Sequence, residues 1–352
     1  MVLVSLLILL AAFKQIPQTV FAKYFDDKAY VFLCLSDAVN EVSSSAPFQN
    51  SSIQVSLTAG TDTSVTFNTY LKNGTLVFSG EGSQNNDDSQ SSESDSEQRA
   101  LSNTFYQNCS VEKNGTKSFY MKNATNHLIN TTNYQITLNK DALTALVNLI
   151  TYNHKELQSK VEAYVDTFDA DPVVHAYLDK NGRVISMDLS DTIKEEQVYA
   201  ELSFLNEESY LSDITVNIIN LNGNNFSGSD ATETSDGVTT HTVSGVLMSS
   251  AIKAAELKIV TTLEQGNITS NIKFKVFGHS HTIKATGTYD SDKMELSLPL
   301  SRDDQNPMNL TLVYVTNDSQ STTRETSKTL TDALGLEKMD QLLALAKDYL
   351  GY

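Results

Sequence analysis

A chain of 352 residues, 40% hydrophobic and 19% charged, has enough apolar material for one large core or two ordinary ones, which excludes a disordered tail or a minidomain. Its formal net charge of −18 at pH 7 excludes nucleic acid as a partner, because polyphosphate binding relies on clustered Lys and Arg and no such cluster is visible in the sequence. Two cysteines, Cys34 and Cys109, match neither a metal-ligand spacing nor a redox Cys-x-x-Cys pair; a single bridge is open to them in an oxidising compartment, but they read first as two separate small hydrophobes.

Residues 1–13 form an uninterrupted apolar run, shorter than the roughly 20 residues a membrane-crossing helix needs and of the length of a signal-peptide core. Val20 and Ala22 then place aliphatic and small side chains ahead of Lys23. Residues 1–22 are therefore expected to be a signal peptide or an amino-terminal membrane anchor, although no Lys or Arg precedes the run. An exported, extracellular or cell-envelope protein follows, touching the membrane only through this end. Lipidation at Cys34 is disfavoured, since Val31-Phe32-Leu33 lacks the small residue that should precede a lipidated cysteine.

Helical spacing of Tyr30, Leu33, Cys34, Ala38 and Val42 predicts a helix over 26–42. The period then changes to two through Ile53, Val55 and Leu57 and through Val65, Phe67 and Leu71. Asn73-Gly74 follows, a type I′ hairpin signal that recurs at Asn114-Gly115 and Asn181-Gly182 and more loosely at Asn222-Gly223. Recurrent hairpins predict an antiparallel meander. Residues 80–98 contain no apolar side chain except the glycines' bare backbone and are expected to form a disordered acidic insert. Phe105, Gln107, Cys109 and Val111 then alternate like a strand leading into the second hairpin.

Residues 139–168 carry the one long helical pattern in the middle of the chain, with Asn139 as its N-cap. Leu146, Ile150, Leu157, Val161, Tyr164 and Phe168 lie on its apolar stripe. Strands resume after Pro172, pause at a polar linker over 222–237, and continue to Val315 before a closing helical pattern with Leu334, Met339, Leu342 and Leu343 on one face. The expected fold class is α+β: a large curved antiparallel β-sheet, as one or two sheets, packed on the central helix, with amino- and carboxyl-terminal helices. Residues 23–221 would carry the first part, and 238–352 would continue the same sheet beyond the linker.

Chemistry-bearing motifs are scarce. Gly278-His279-Ser280-His281-Thr282 begins like a nucleophile elbow but lacks the final glycine and the helix that must follow, so it reads as a turn between strands. His279 and His281 offer two imidazoles on one side of a strand, yet His127, His154, His175 and His241 show no spacing that would complete a metal site. There is no glycine-rich phosphate cradle. Neither catalytic residues, nor a metal, nor a cofactor can be assigned.

The segments SIQVSLTAG…TFNTYLKNGTLVFSG, ITLNKDALTALVNLI and VVHAYLDKNGRVISMDLS give a layout that resembles the lipoprotein-carrier fold of LolA and LppX-type envelope proteins. It also resembles amino-terminally anchored surface proteins of Gram-positive bacteria. The first resemblance implies a non-catalytic binding or carrier module for a lipid or other apolar ligand, faced by Leu146, Ile150, Leu157, Val161, Tyr164 and Phe168. The alternative is a structural or adhesive surface protein with a filled core, whose partner is an envelope protein or a surface polymer.

Overall fold

The computed structural model describes residues 26–44, 51–59, 63–72, 75–79, 92–122, 127–150, 171–193, 196–221, 224–250, 252–299 and 308–315, together with 334, 337–341 and 343–344. The expected export segment, most of the acidic insert, the second half of the central helical pattern, and the Asn73-Gly74 and Asn222-Gly223 turns lie outside the described residues.

Three helices have both ends among them, α1 (Asp27–Ser44), α2 (Ser92–Asn108) and α3 (Lys140–Ile150), and the described residues 334, 337–341 and 343–344 near the carboxyl end are helical as well. The strands before α3 are β1 (Ser52–Ala59), β2 (Thr63–Lys72), β3 (Thr75–Ser79), β4 (Cys109–Tyr120) and β5 (Leu128–Leu138). After it come β6 (Val173–Leu178), β7 (Val184–Ile193), β8 (Glu196–Phe204), β9 (Ile214–Leu221), β10 (Asn224–Ser235) and β11 (Val238–Ser249). The last five are β12 (Ile252–Glu264), β13 (Asn267–Val276), β14 (His279–Tyr289), β15 (Lys293–Pro299) and β16 (Met308–Val315).

All sixteen strands belong to one sheet, in the order β3-β2-β1-β16-β15-β14-β13-β12-β11-β10-β9-β8-β7-β6-β5-β4. From β4 to β16 each strand pairs with its sequence neighbour, and the β1–β3 meander joins the far side of β16 antiparallel, Ser52 opposite Val315. This corrects the α+β expectation. The molecule is mainly a single antiparallel sheet, not a sheet packed throughout on a central helix. The expectation failed because it required the inner face of the whole sheet to be covered by the central helix, whereas an antiparallel sheet satisfies its backbone through its ladder and tolerates a solvated face. The same reasoning corrects the polar linker: residues 224–235, rich in Ser, Thr and Asn, form β10.

The chain divides into two compact units. The first comprises residues 1–42, 90–231 and 243–256, and so holds the three helices and β4–β9. Here Asp26 caps α1, its Oδ1 accepting the Ala29 amide at 2.8 Å, and Asn139 caps α3 as expected, accepting from Ala142 at 2.9 Å. Phe32 of α1 meets Phe105 and Tyr106 of α2, both with ring centroids 5.7 Å apart. A continuous core runs from these helices to Ile136, Val174, Leu189, Ala200 and Ile218, which stand in one cross-strand row on β5 to β9.

Two local expectations change in this unit. Residues 92–98 of the acidic insert begin α2, which runs through Phe105 and Tyr106 where an alternating strand was expected. Residues four apart, such as Phe105 and Cys109, share a helix face as readily as a strand face, so the short alternation was ambiguous. Asn114-Gly115 makes no hairpin turn. Register passes from Lys113↔Tyr134 to Thr116↔Thr132, leaving two β4 residues against one on β5, a bulge in which Gly115 adopts φ +83°. Because β4 is an edge of the sheet, a bulge there also discourages further strand addition.

Asn181-Gly182, in contrast, does lie in the tight connection between β6 and β7. Asp179 Oδ1 accepts the amides of Asn181 and Arg183, each at 2.8 Å, and Gly182 sits at φ +85°.

The second unit comprises residues 43–89, 232–242 and 257–352, with β1–β3 and β13–β16. Two-residue turns with positive φ at both positions recur at Asp236-Gly237, Gln265-Gly266 and Phe277-Gly278. The pleat separates two kinds of side chain. Thr269, Thr286, Ser297, Thr311, Ser56 and Thr66 form one row on six adjacent strands, and Ile268, Gly287, Leu296, Leu312, Val55 and Phe67 form the row that faces the other way. The polar row is tied together by Thr66 donating to Ser56 at 3.1 Å and by Ser297 and Thr311 both bonded to Asn309.

Candidate functional site

The face of β5–β9 turned away from the helices carries a polar cluster. Register aligns Gln135, His175, Asp188, Glu201 and Asn217 on five successive strands, directly beside the apolar row that builds the core. Period-two geometry forces this outcome: one residue along each strand from the buried row, the side chain must face the other way.

Asp188 is the anchor, with a side chain only 7% exposed. His175 Nδ1 lies 2.8 Å from its Oδ1, and the Tyr177 hydroxyl donates to Oδ2 at 2.8 Å. Burial first, and then the hydrogen bond and charge of Asp188, push the Tyr177 hydroxyl far above its ordinary value, so it stays a proton donor. Tyr199 is raised in the same way, by burial and by the Glu201 and Asp188 carboxylates. Lys117 of β4 closes one side: its Nζ is 3.6 Å from Glu201 Oε1 and stands over the rings of Phe119 at 4.8 Å and Tyr177 at 4.7 Å. Next to Tyr199 and Glu201 the face sinks into an open depression of about 290 Å³, lined also by Asn217, Asn225 and Ser227 and by the apolar Ile218, Ile219, Phe226 and Met248.

Such a cluster can donate and accept hydrogen bonds and offer one aromatic wall. Its His and Asp resemble the orienting half of a catalytic triad, but no Ser, Thr or Cys is hydrogen-bonded to His175 among the described residues. No group of three or more His, Cys, Asp or Glu that could hold a metal occurs among the described residues.

The residues singled out from the sequence fall elsewhere. Leu146 is 4% exposed and packed in the helix-to-sheet core with Ala142, Leu143 and Ala145. Ile150 ends α3, and Leu157, Val161, Tyr164 and Phe168 lie outside the described residues. His279 and His281 share one side of β14, and Ser280 between them is in the same strand with no helix following, so the elbow is absent. The cysteines are unbridged: Cys109 is buried, and Cys34 is half-buried with Tyr30 hydrogen-bonded to its sulfur.

Sequence reasoning passed over the β5–β9 cluster. The one local signal was His175, the single residue that ionises near neutral pH in the otherwise apolar VVHAYL; Asp188 in VISMDLSDTI and Glu201 in EQVYAELSF each share their strand with a second carboxylate and with Ser or Gln, so nothing local set them apart. Compared with known protein families and with curated proteins, the chain matches none.

Proposed function

We propose that this is an exported, non-catalytic surface protein that works as a filled scaffold, presenting one polar sheet face to a macromolecular partner in the envelope. The observation that carries this reading is Leu146. A carrier for apolar ligands would need that stripe to line a hollow, and Leu146 is instead buried among Ala142, Leu143, Ala145 and the inner row of β5–β9. The accessible depression lies on the opposite face, where Tyr199, Glu201 and Asn217 can hold a hydroxylated or amide-bearing polymer edge-on against the apolar surface of Ile219 and Met248. Export rests on the apolar run at residues 1–13.

The test pairs two titrations of the purified chain. A fluorescent fatty acid should show no saturable uptake, and isolated cell-wall polymer should bind and lose affinity in Tyr199→Ala and Glu201→Gln. Saturable fatty-acid uptake would return the lipid-carrier reading to first place. Polymer binding that ignores both substitutions would remove the β5–β9 face from the proposal.

A further inference from the structure

The second unit holds a hairpin whose chemistry departs from the rest of the chain. Residues 265–289 contain no Asp or Glu, in a protein with 43 of them. Within it, β13 and β14 pair Asn271 with Lys284, Lys273 with Thr282 and Lys275 with Ser280, so register gathers three lysines on one face although sequence order keeps Lys284 apart. All three are exposed, and no ion pair among the described residues uses them. On the neighbouring strands Glu256 of β12 is engaged by Lys253 at 3.1 Å, and Glu295 of β15, which stands on the lysine face opposite Thr288, is engaged by Lys293 at 2.9 Å.

At the tip the turn is Phe277-Gly278, with φ +43° and +91°. Asn, Asp or Gly ordinarily fills the first position of such a turn, because a bulky side chain at positive φ is strained. Phe277 is nevertheless there and 77% exposed, beside Val276 at 40%. Neither turn chemistry nor core burial accounts for it. On the face away from the lysines, Phe274 stacks on His281 with centroids 4.8 Å apart and planes 15° from parallel, which stiffens the hairpin behind its tip.

We propose that the β13–β14 hairpin is a membrane-docking finger that seats Phe277 at the headgroup level of an anionic bilayer, with Lys273, Lys275 and Lys284 as its basic collar. Charge complementarity selects the occupant. A chain of net charge −18 is repelled overall by an anionic surface, and this hairpin, with three lysines and no carboxylate of its own, is where that repulsion is relieved. A soluble polyanion would use the lysines alone. A bilayer uses the lysines and the aromatic together, since aromatic rings partition to the interface and each nearby Lys adds electrostatic attraction.

The chain contains no Trp, so Phe277→Trp in the full-length protein is a single local reporter, insensitive to any attachment through residues 1–13. With vesicles of equal parts phosphatidylcholine and phosphatidylglycerol its emission should shift to the blue and be quenched by brominated acyl chains. Pure phosphatidylcholine vesicles and soluble polyphosphate should leave it unchanged. Adding Lys273→Gln, Lys275→Gln and Lys284→Gln should weaken the vesicle response on the order of a hundredfold, at about fivefold per lysine. Unchanged emission on anionic vesicles, or a vesicle response indifferent to the three lysines, overturns the proposal. So does an equal response to polyphosphate without quenching by the brominated chains, which would assign the hairpin to a soluble polyanion.

Discussion

His175 and Asp188 stand directly opposite one another on β6 and β7, with Nδ1 2.8 Å from Oδ1 in a site where the carboxylate is nearly sealed from water. The pair explains how a charged residue survives in the middle of a buried strand. Two donors converge on Asp188, one per oxygen, and so compensate for part of its lost hydration. Asp188→Ala should therefore cost about 2–4 kcal/mol, chiefly by leaving the buried Tyr177 hydroxyl without its acceptor. Asp188→Asn, which keeps one acceptor, should cost less. Urea unfolding of the two variants checks the order, and equal losses would count against the Tyr177 bond.

Leu146→Ala distinguishes a packed core from a lined hollow. In a filled core the truncation leaves a cavity and should lower stability by about 2–5 kcal/mol. A loss below roughly 1 kcal/mol in equilibrium unfolding would mean the side chain bordered empty space.

Gly182 is constrained twice over. Its φ of +85° favours glycine, and a Cβ there would come within 2.8 Å of Cys34 Sγ and 3.2 Å of the Tyr30 hydroxyl. Gly182→Ala should destabilise by about 1–3 kcal/mol, with the backbone strain supplying roughly 1–2 of it. Combining it with Cys34→Ala should recover only the steric part. Full recovery in the double mutant would show that the backbone conformation carries no cost.

Alkaline pH should weaken the fold in a defined window. Burial pushes the Cys109 thiol from its ordinary 9.0 up to about 11, with Lys28 opposing in part. Between those values the folded chain keeps a proton that the unfolded chain releases, so stability falls as pH rises from about 9 to about 11 and is unaffected below 9. The shift corresponds to roughly 2–3 kcal/mol. Tyr210, raised to about 12 mainly by burial, extends the decline. Denaturation midpoints measured across this range should fall less steeply for Cys109→Ala than for the parent, and parallel curves would dismiss the thiol.

Phe277→Asn should raise thermal stability by about 0.5–1 kcal/mol, because Asn tolerates the positive φ that strains Phe. If the hairpin docks on membranes as inferred, the same substitution should reduce its partition onto anionic vesicles. A destabilised variant would show that Phe277 has a structural task.

Much of the local architecture was legible from residue order. The alternation of Ile53, Val55 and Leu57 marked β1, the helical spacing of Tyr30, Leu33, Cys34, Ala38 and Val42 marked α1 although its buried face runs through Ala29, Phe32, Leu35 and Ala38, and Asn139 announced the start of α3. Each of these depends on interactions within a few positions, where the pleat or the helical turn leaves one answer. Asn-Gly was less decisive, a tight turn at 181–182 and a bulge at 114–115, because the choice depends on which strand lies alongside.

By itself, then, the sequence determined that this chain is antiparallel and strand-rich, with an apolar leading segment. Only the tertiary structure decided that sixteen strands share one sheet, that Leu146 is packed, that His175, Asp188 and Glu201 meet on one face, and that Lys284 joins Lys273 and Lys275. The reason is register. Slipping one strand by a single residue would turn the strand residues among these to the opposite face, and register is set by pairing between segments that no local pattern relates; Leu146, on α3, is packed by the contact of helix with sheet.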